Sequence, residues 1–377
     1  MKQTIYIVAL LMGLSGCISD FTPNDLEEVN GLLIIDGTIT DGESVFKLSH
    51  SVGLSEELTG NETISHASLY VESEDGRKMN GVLKKTGEYV VRTGDLNPDT
   101  RYRLHVSVDG EEYESTYLSP LLTPEIDSLA PLKKGQGEPV FMCVNTHDPS
   151  DQSRFYRWTY KEDWEVKAEL YANAHIGEDG APVLHDLSTS NNFYYCWGRD
   201  SSKVLLLGST DKLSENLIYQ HKLVEMPCNS AKISNLYYIY VEQMQIRKET
   251  YDYMLNMQKN IEQTGGIFSP VPSEMRGNID CTTNPSLRAI GYIEVATTTR
   301  KDLFVPATSG LYEPPTQRCS YQITNDPDLA YPVYAYFFYD TSVIMPEHMY
   351  APYDCVDCRQ RYNATKNRPA FWPNDHY

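Results

Sequence analysis

Three features of the chain predict a mainly β protein. Short runs that alternate apolar and polar residues begin at Gly31 and continue almost to the C-terminus. Turn pairs such as Asp109-Gly110 separate them. Only one stretch, residues 248–266, carries helical spacing.

The first thirty residues precede this pattern. Lys2, an apolar stretch from Ile5 to Leu14 and the small-residue end Leu14-Ser15-Gly16-Cys17 form a secretory signal over residues 1–16. Its apolar core is too short to span a bilayer, which takes about 20 residues. Small residues directly before Cys17 match a bacterial lipobox, so Cys17 is the expected lipidation site and new N-terminus. Acyl chains each contribute about 0.8 kcal/mol per buried methylene, so several anchor stably. Residues 17–30 are polar and acidic and read as a tether.

Residues 31–119 read as an antiparallel β-sandwich. LLIIDGTIT and VFKLSHS flank a TDGES turn, and ASLYVES and GEYVVRT follow. In RYRLHVSV, Tyr102, Leu104, Val106 and Val108 share one face, and Asp109-Gly110 joins this run to EEYESTYL. The size and strand content predict an immunoglobulin-like or transthyretin-like sandwich. Residues 120–139, rich in Pro and Gly without alternation, read as a linker, and residues 140–377 as a larger β-rich domain. Within it, FYRWTY, NNFYYCWG, KVLLLGS, LIYQHKLVEM, LYYIYVEQMQI and VYAYFFY are strand-like. The helix in KETYDYMLNMQKNIEQTGG stacks Tyr251, Met254, Leu255, Met257 and Ile261, with Gly265 as its stop.

The net charge of −20 disfavours a nucleic-acid partner. With Cys17 acylated, seven of the eight cysteines remain, and export predicts disulfides among them. Cys143, inside the apolar run VFMCV, reads as the odd buried thiol. Cys196, Cys228, Cys281, Cys319, Cys355 and Cys358 are the disulfide candidates, in any of 15 connectivities for six cysteines. Cys355-Val356-Asp357-Cys358 lacks the second pair a zinc ribbon needs and the βαβ setting of a redox site. It reads as two structural cysteines with different partners. His147-Asp148 in NTHDPSD reads as a turn. Glu162, Asp163 and Glu165 could supply paired carboxylates, but alternation around Trp158 and Trp164 reads them as the outer face of a strand. The chain contains no GxSxG, HExxH or Gly-rich phosphate loop, so no catalytic residue, metal or cofactor is expected.

Several stretches carry a resemblance. LSGC, LLIIDGTITDG, NTHDPSDQSRFYRWTYKEDWEV, YCW, EQTGGIFSPVPSEMRGNI, GYIEVATTTRKDLFV and DCVDCRQRYNATKNRPAFWP resemble the DUF4249 family of Bacteroidota lipoproteins, over nearly the whole mature chain. The resemblance implies a β-rich N-terminal domain, a larger β-rich domain and a gene neighbour encoding a TonB-dependent outer-membrane transporter. It implies no catalytic residues, because the family has no established activity. Acidic residues behind the lipidated cysteine, here Asp20, Asp25, Glu27 and Glu28, imply display at the cell surface; the alternative is the periplasmic leaflet. The expectation is therefore a non-enzymatic, lipid-anchored outer-membrane binding or accessory protein acting with a TonB-dependent barrel in nutrient uptake, its ligand unknown. The alternative is a structural or adhesive envelope protein.

Overall fold

The computed structural model describes residues 31–51, 62–179, 182–186, 192–263, 276–315, 319, 322–323, 334–339 and 348–373. Cys17, the signal, the tether and the Gly265 helix stop lie outside them. The protein is mainly β, as its alternation predicts.

The first sandwich is built from β1 (Leu33–Ile39), β2 (Gly42–His50), β3 (Glu62–Thr63), β4 (Ser68–Ser73), β5 (Lys78–Lys85), β6 (Glu88–Gly94), β7 (Tyr102–Val108) and β8 (Glu111–Ser115). Strand β5 serves both layers: Lys78 to Asn80 pair with β4, and Gly81 to Lys85 pair with β6. The inward set of β7 (Tyr102, Leu104, Val106 and Val108) is buried between the layers with Ile35, Phe46, Leu48 and Val71. At the β7–β8 turn both Asp109 and Gly110 have positive φ, which explains why this pair closes a two-residue hairpin.

The next strands are β9 (Ile126–Lys133), β10 (Val140–His147), β11 (Phe155–Lys167), β12 (Ala174–Ile176), β13 (Pro182–Leu184), β14 (Tyr195–Ser201), β15 (Leu206–Ser209), β16 (Leu217–Met226) and β17 (Leu236–Gln245). After β17 come helix α1 (Lys248–Gln263), then β18 (Ile279–Cys281), β19 (Ala289–Ile290), β20 (Glu294–Val295) and β21 (Thr298–Pro306). A three-stranded sheet, β16-β10-β9, packs on a sheet ordered β14-β11-β17-β21, with β15 alongside β11. Trp158, Tyr156, Met142, Val144, Ile239 and Val241 fill the space between the two sheets. Gln243 is fully buried there but satisfied: it accepts from Trp158 Nε1 and donates to Pro124 O and Thr146 Oγ1. The C-terminal part adds β22 (Gln322–Ile323), β23 (Tyr334–Tyr339), β24 (His348–Pro352) and the short helices α2 (Tyr353–Val356) and α3 (Cys358–Tyr362). No helix among the described residues is long and apolar enough to cross a membrane.

Two boundaries differ from the sequence reading. Eight residues in the middle of the predicted linker form strand β9, paired along β10 from Ile126 to Lys133. Pro131 hides it from alternation, yet Pro is tolerated because β9 is an edge strand of its sheet. The 140–377 segment is also not one contiguous unit. Strand β18 pairs with β8, while β19 and β20 pair with β1 in parallel, so residues 279–295 complete the first sandwich. Ile279, Ile293 and Val295 are buried in its core. These short strands cover edges of β8 and β1 that would otherwise present unpaired backbone groups.

The turn read at His147-Asp148 starts one residue later: His147 ends β10 and Asp148 opens the turn. Asp148 accepts hydrogen bonds from Ser150 N, Ser150 Oγ, Gln152 N and Ser153 N at 2.7–2.9 Å. Burial alone would raise this carboxyl; the hydrogen bonds from Ser150 and Ser153 outweigh it and hold it at about 2. A depressed folded-state pKa stabilises the protein above the ordinary carboxyl range, and that stability is lost as pH falls from about 4 through about 2. Asp148→Asn is expected to lower stability by about 2 kcal/mol at pH 6. The gap from the parent protein should close toward pH 2. Urea midpoints across this range check it; a gap independent of pH would refute the role.

Candidate functional site

The outer face of the β14-β11-β17-β21 sheet has a sealed end and an open end. Register places Arg157, Thr159, Lys161, Asp163 and Glu165 of β11 beside Met244, Glu242, Tyr240, Tyr238 and Leu236 of β17. Across β17, Glu242, Tyr240 and Tyr238 face Arg300, Asp302 and Phe304 of β21. Alternation puts all of these on one face.

The C-terminal segment seals one end. Trp372 is buried against Trp197 and Leu236, and its Nε1 donates to Glu165 Oε2 at 2.7 Å. Phe371 lies over Tyr238, ring centroids 4.6 Å apart, and remains 49% exposed. The two disulfides anchor the segment: Cys196–Cys358, with Cα atoms 5.9 Å apart, and Cys319–Cys355 at 5.8 Å. Cys355 and Cys358 thus have different partners. Cys143, Cys228 and Cys281 are free, so Cys228 and Cys281 drop out of the candidate set. Cys143 is buried as read, and burial raises its thiol. Among the described residues the group of cysteines, histidines and acids close enough to share a metal is Glu169, Cys319 and Cys355, but its two sulfurs are tied to each other.

The three acids of β11 are not an exposed outer face: Glu162, Asp163 and Glu165 are 1%, 5% and 0% accessible. Glu162 lies on the inner side, where it accepts from Tyr237 Oη at 2.7 Å and pairs with Lys232. Burial, reinforced by the Glu162 charge, raises Tyr237 well above the usual phenol range, so it stays a donor. Asp163 accepts from Arg199 Nε at 2.7 Å. Glu165 accepts from Trp372 and from Asn235 Nδ2. Both faces of β11 are covered at this end, which alternation alone does not reveal. Glu162 and Glu165 point to opposite faces, each held by structural donors, so they do not flank a common substrate position.

The open end faces the first sandwich. Between β1–β2 and the sheet floor runs a cleft with two lobes of about 400 and 730 Å3 that share Thr40, Glu43, Val45, Thr159, Lys161 and Glu242. One wall carries Asp36, Thr38 and Lys47 of the sandwich; the floor carries Arg157, Tyr240 and Arg300. Gly37, on the core side of β1 between Ile35 and Ile39, makes room for the buried Phe46 ring, which a Cβ there would meet at 2.4 Å. Arg300 Nε donates to Glu242 at 2.9 Å, which raises the arginine further, and Glu43 pairs with Arg92 at 3.6 Å. Arg157, Lys161 and Lys47 have no ion pair among the described residues. None of these cleft residues stood out in the sequence. The signal was the polar row Arg157, Thr159, Lys161 opposite the aromatic row of β11, which reads equally as a solvated face.

A two-sandwich β protein with an interdomain cleft and a strapped C-terminus is the class this geometry defines. The model of the family described as Domain of unknown function (DUF4249) matches residues 18–302, and the chain belongs to that family. No curated protein matches it. Among solved structures it is similar to a two fibronectin type-III domain segment from chicken tenascin, 12% identical over 58% of this chain and 91% of that chain, with a TM-score of 0.15.

Proposed function

We propose that this protein is a lipid-anchored outer-membrane binding or accessory lipoprotein that works with a TonB-dependent transporter in nutrient uptake, with the cleft between the sandwich and the sheet as its ligand seat. The observation that carries this reading is the contrast on strand β11. Its acids are consumed by Lys232, Arg199, Asn235 and Trp372, while Arg157 and Lys161, on the same strand, face a cleft of several hundred Å3 with no ion-pair partner among the described residues. Ligand pockets commonly have such volumes and a few convergent polar groups. Cys17 supplies the lipid, display is at the cell surface, and the transporter partner follows from the family resemblance. An anchor in the same leaflet raises the effective concentration of the two partners.

The test joins partner and cleft. Tagged protein purified from mildly solubilised outer membranes of crosslinked cells should bring down a barrel, and Cys17→Ala should release the protein from membranes. Thr159→Trp, which fills the cleft floor, should impair growth on the transported nutrient while leaving membrane attachment intact. Recovery of the lipoprotein alone, with growth unaffected by Thr159→Trp, would refute the reading.

A further inference from the structure

We propose that the smaller lobe of the cleft takes an acidic oligosaccharide, held through its anionic groups by Arg157, Lys161 and Lys47. This inference rests on the cleft being the ligand seat and goes on to name the ligand class.

The charge argument comes first. The whole chain carries −20, so an anion approaching most of its surface is repelled. In the smaller lobe, Glu242 is neutralised by Arg300 and Glu43 by Arg92. The remaining charges there are Asp36 against Arg157, Lys161 and Lys47. The smaller lobe therefore holds, among the described residues, a local excess of unpaired cation, while Asp41 and Asp95 make the adjoining lobe acidic and confine the anion to the smaller one. Clefts of one sign with low-dielectric walls concentrate the opposite ion. Arg157 and Lys161 are four residues apart on one strand face, so their Cα atoms are about 13 Å apart. That spacing fits an extended ligand with more than one anionic group.

The chemistry of the remaining lining distinguishes a saccharide from a peptide. The strands that wall the smaller lobe have partners on both sides: β1 has β2 and β19–β20, β2 has β1 and β6, β11 has β17 and β14–β15, β17 has β11 and β21, whereas β21 and β14, which reach only the larger lobe through Arg300 and Ser201, are edge strands. In the smaller lobe a peptide strand therefore finds no edge strand to extend. Side chains alone are offered. The hydroxyls of Thr38 and Thr159 make no hydrogen bond within the described residues and match the alternating donors and acceptors of a sugar. Beyond Tyr240 the same floor continues into Tyr238 and the half-exposed Phe371, rings suited to the apolar face of a pyranose.

The experiment uses the whole chain, purified in detergent, against an immobilised panel of uronic-acid oligomers, sulfated oligosaccharides, neutral oligosaccharides of equal length and polyglutamate. Retention on uronic-acid or sulfated members is expected, and which of the two binds identifies the anion. Binding should weaken as salt rises. Arg157→Gln and Lys161→Gln should each weaken it about tenfold, the loss of one charge-assisted contact, while Lys84→Gln on the sandwich surface leaves it unchanged. Matching melting temperatures would show that the variants fold. Preference for polyglutamate, retention on no acidic saccharide, or affinity unmoved by Arg157→Gln and Lys161→Gln would overturn the inference. Neutral saccharides bound as tightly as acidic ones, and lost on Thr159→Trp, would overturn it while leaving the cleft as the seat. Failure of the seat itself reads out separately, in the growth of the Thr159→Trp strain.

Discussion

Glu294→Ala should lower stability by about 3–5 kcal/mol, because it removes one partner of a buried charge cluster and leaves the other uncompensated. Glu294 is 1% exposed. Its Oε2 accepts from Arg247 N at 2.9 Å and from Thr250 Oγ1 at 2.6 Å, at the start of helix α1, where a negative charge also meets the favourable end of the helix dipole. Oε1 pairs with Arg247 Nη1 and accepts from Val295 N at 2.9 Å. The same arginine donates to Ser119 O. One carboxylate thus ties α1, strand β20 and the exit of the first sandwich together. Strand β20 pairs with β1, a wall of the cleft, and the chain beyond it becomes β21, part of the cleft floor. Loss of the cluster should therefore loosen the cleft as well as the fold. Denaturant unfolding measures the first effect, and ligand affinity measures the second. Glu294→Gln keeps shape and hydrogen-bond capacity and should cost less than Glu294→Ala. The double variant Arg247→Met/Glu294→Leu should recover much of the loss, since an apolar pair can replace a buried ion pair at little cost. An unfolding midpoint for Glu294→Ala equal to that of the parent would show that the cluster is not a lock.

The sequence predicts this cluster nowhere, and the reason is physical. Alternation reports which face of a strand is buried, and it succeeds where one face packs and the other meets water. Tyr102, Leu104, Val106 and Val108 behave that way and are buried together. The helix is legible in part: of its stripe, Met254 is buried with Tyr251 and Met257 packed half-buried beside it, but Tyr253, which the stripe did not include, is buried as well. Alternation fails where both faces are covered, as at Glu162 to Val166, and where a strand has only two or three residues, as in β18 to β20. Those short strands take their register from the edges they complete, not from their own residues. Strand β9 was hidden by Pro131 for the same reason: an edge tolerates what local propensity forbids. The cleft is the least legible feature. Its walls, β1–β2 and β11, are more than 100 residues apart in sequence, so its composition exists only after the two sandwiches meet. Cysteines are intermediate. The export expected from the leader and the cysteine spacing indicate disulfides and separate partners for Cys355 and Cys358, but excluding Cys228 and Cys281 takes coordinates.

Removing the Cys196–Cys358 disulfide should have an effect of similar size. It joins residues 162 apart, and a cross-link stabilises mainly by restricting the unfolded chain, more for longer loops. Cys196→Ala/Cys358→Ala is expected to lose about 2–5 kcal/mol and roughly 5–10 °C in melting temperature. Alanine is the better probe than serine, since both sulfurs lie in fully buried residues and a hydroxyl there would lack a partner. Cys319–Cys355 closes only 36 residues, so its removal should cost about 1 kcal/mol less on the loop-entropy argument. The two variants also differ in what they release. Cys358 stands just before the segment that pairs Thr365 with Trp197 and seats Trp372 on Glu165. Without the cross-link this segment should lift more readily, uncovering Trp197 and leaving Glu165 buried without its indole donor. Tryptophan emission of the Cys196→Ala/Cys358→Ala protein should then shift to the red below its melting transition, and the Cys319→Ala/Cys355→Ala protein should not show the shift. Equal melting temperatures for the two variants, with unchanged emission in both, would mean that the aromatic packing of Trp372 holds the tail without help from Cys358.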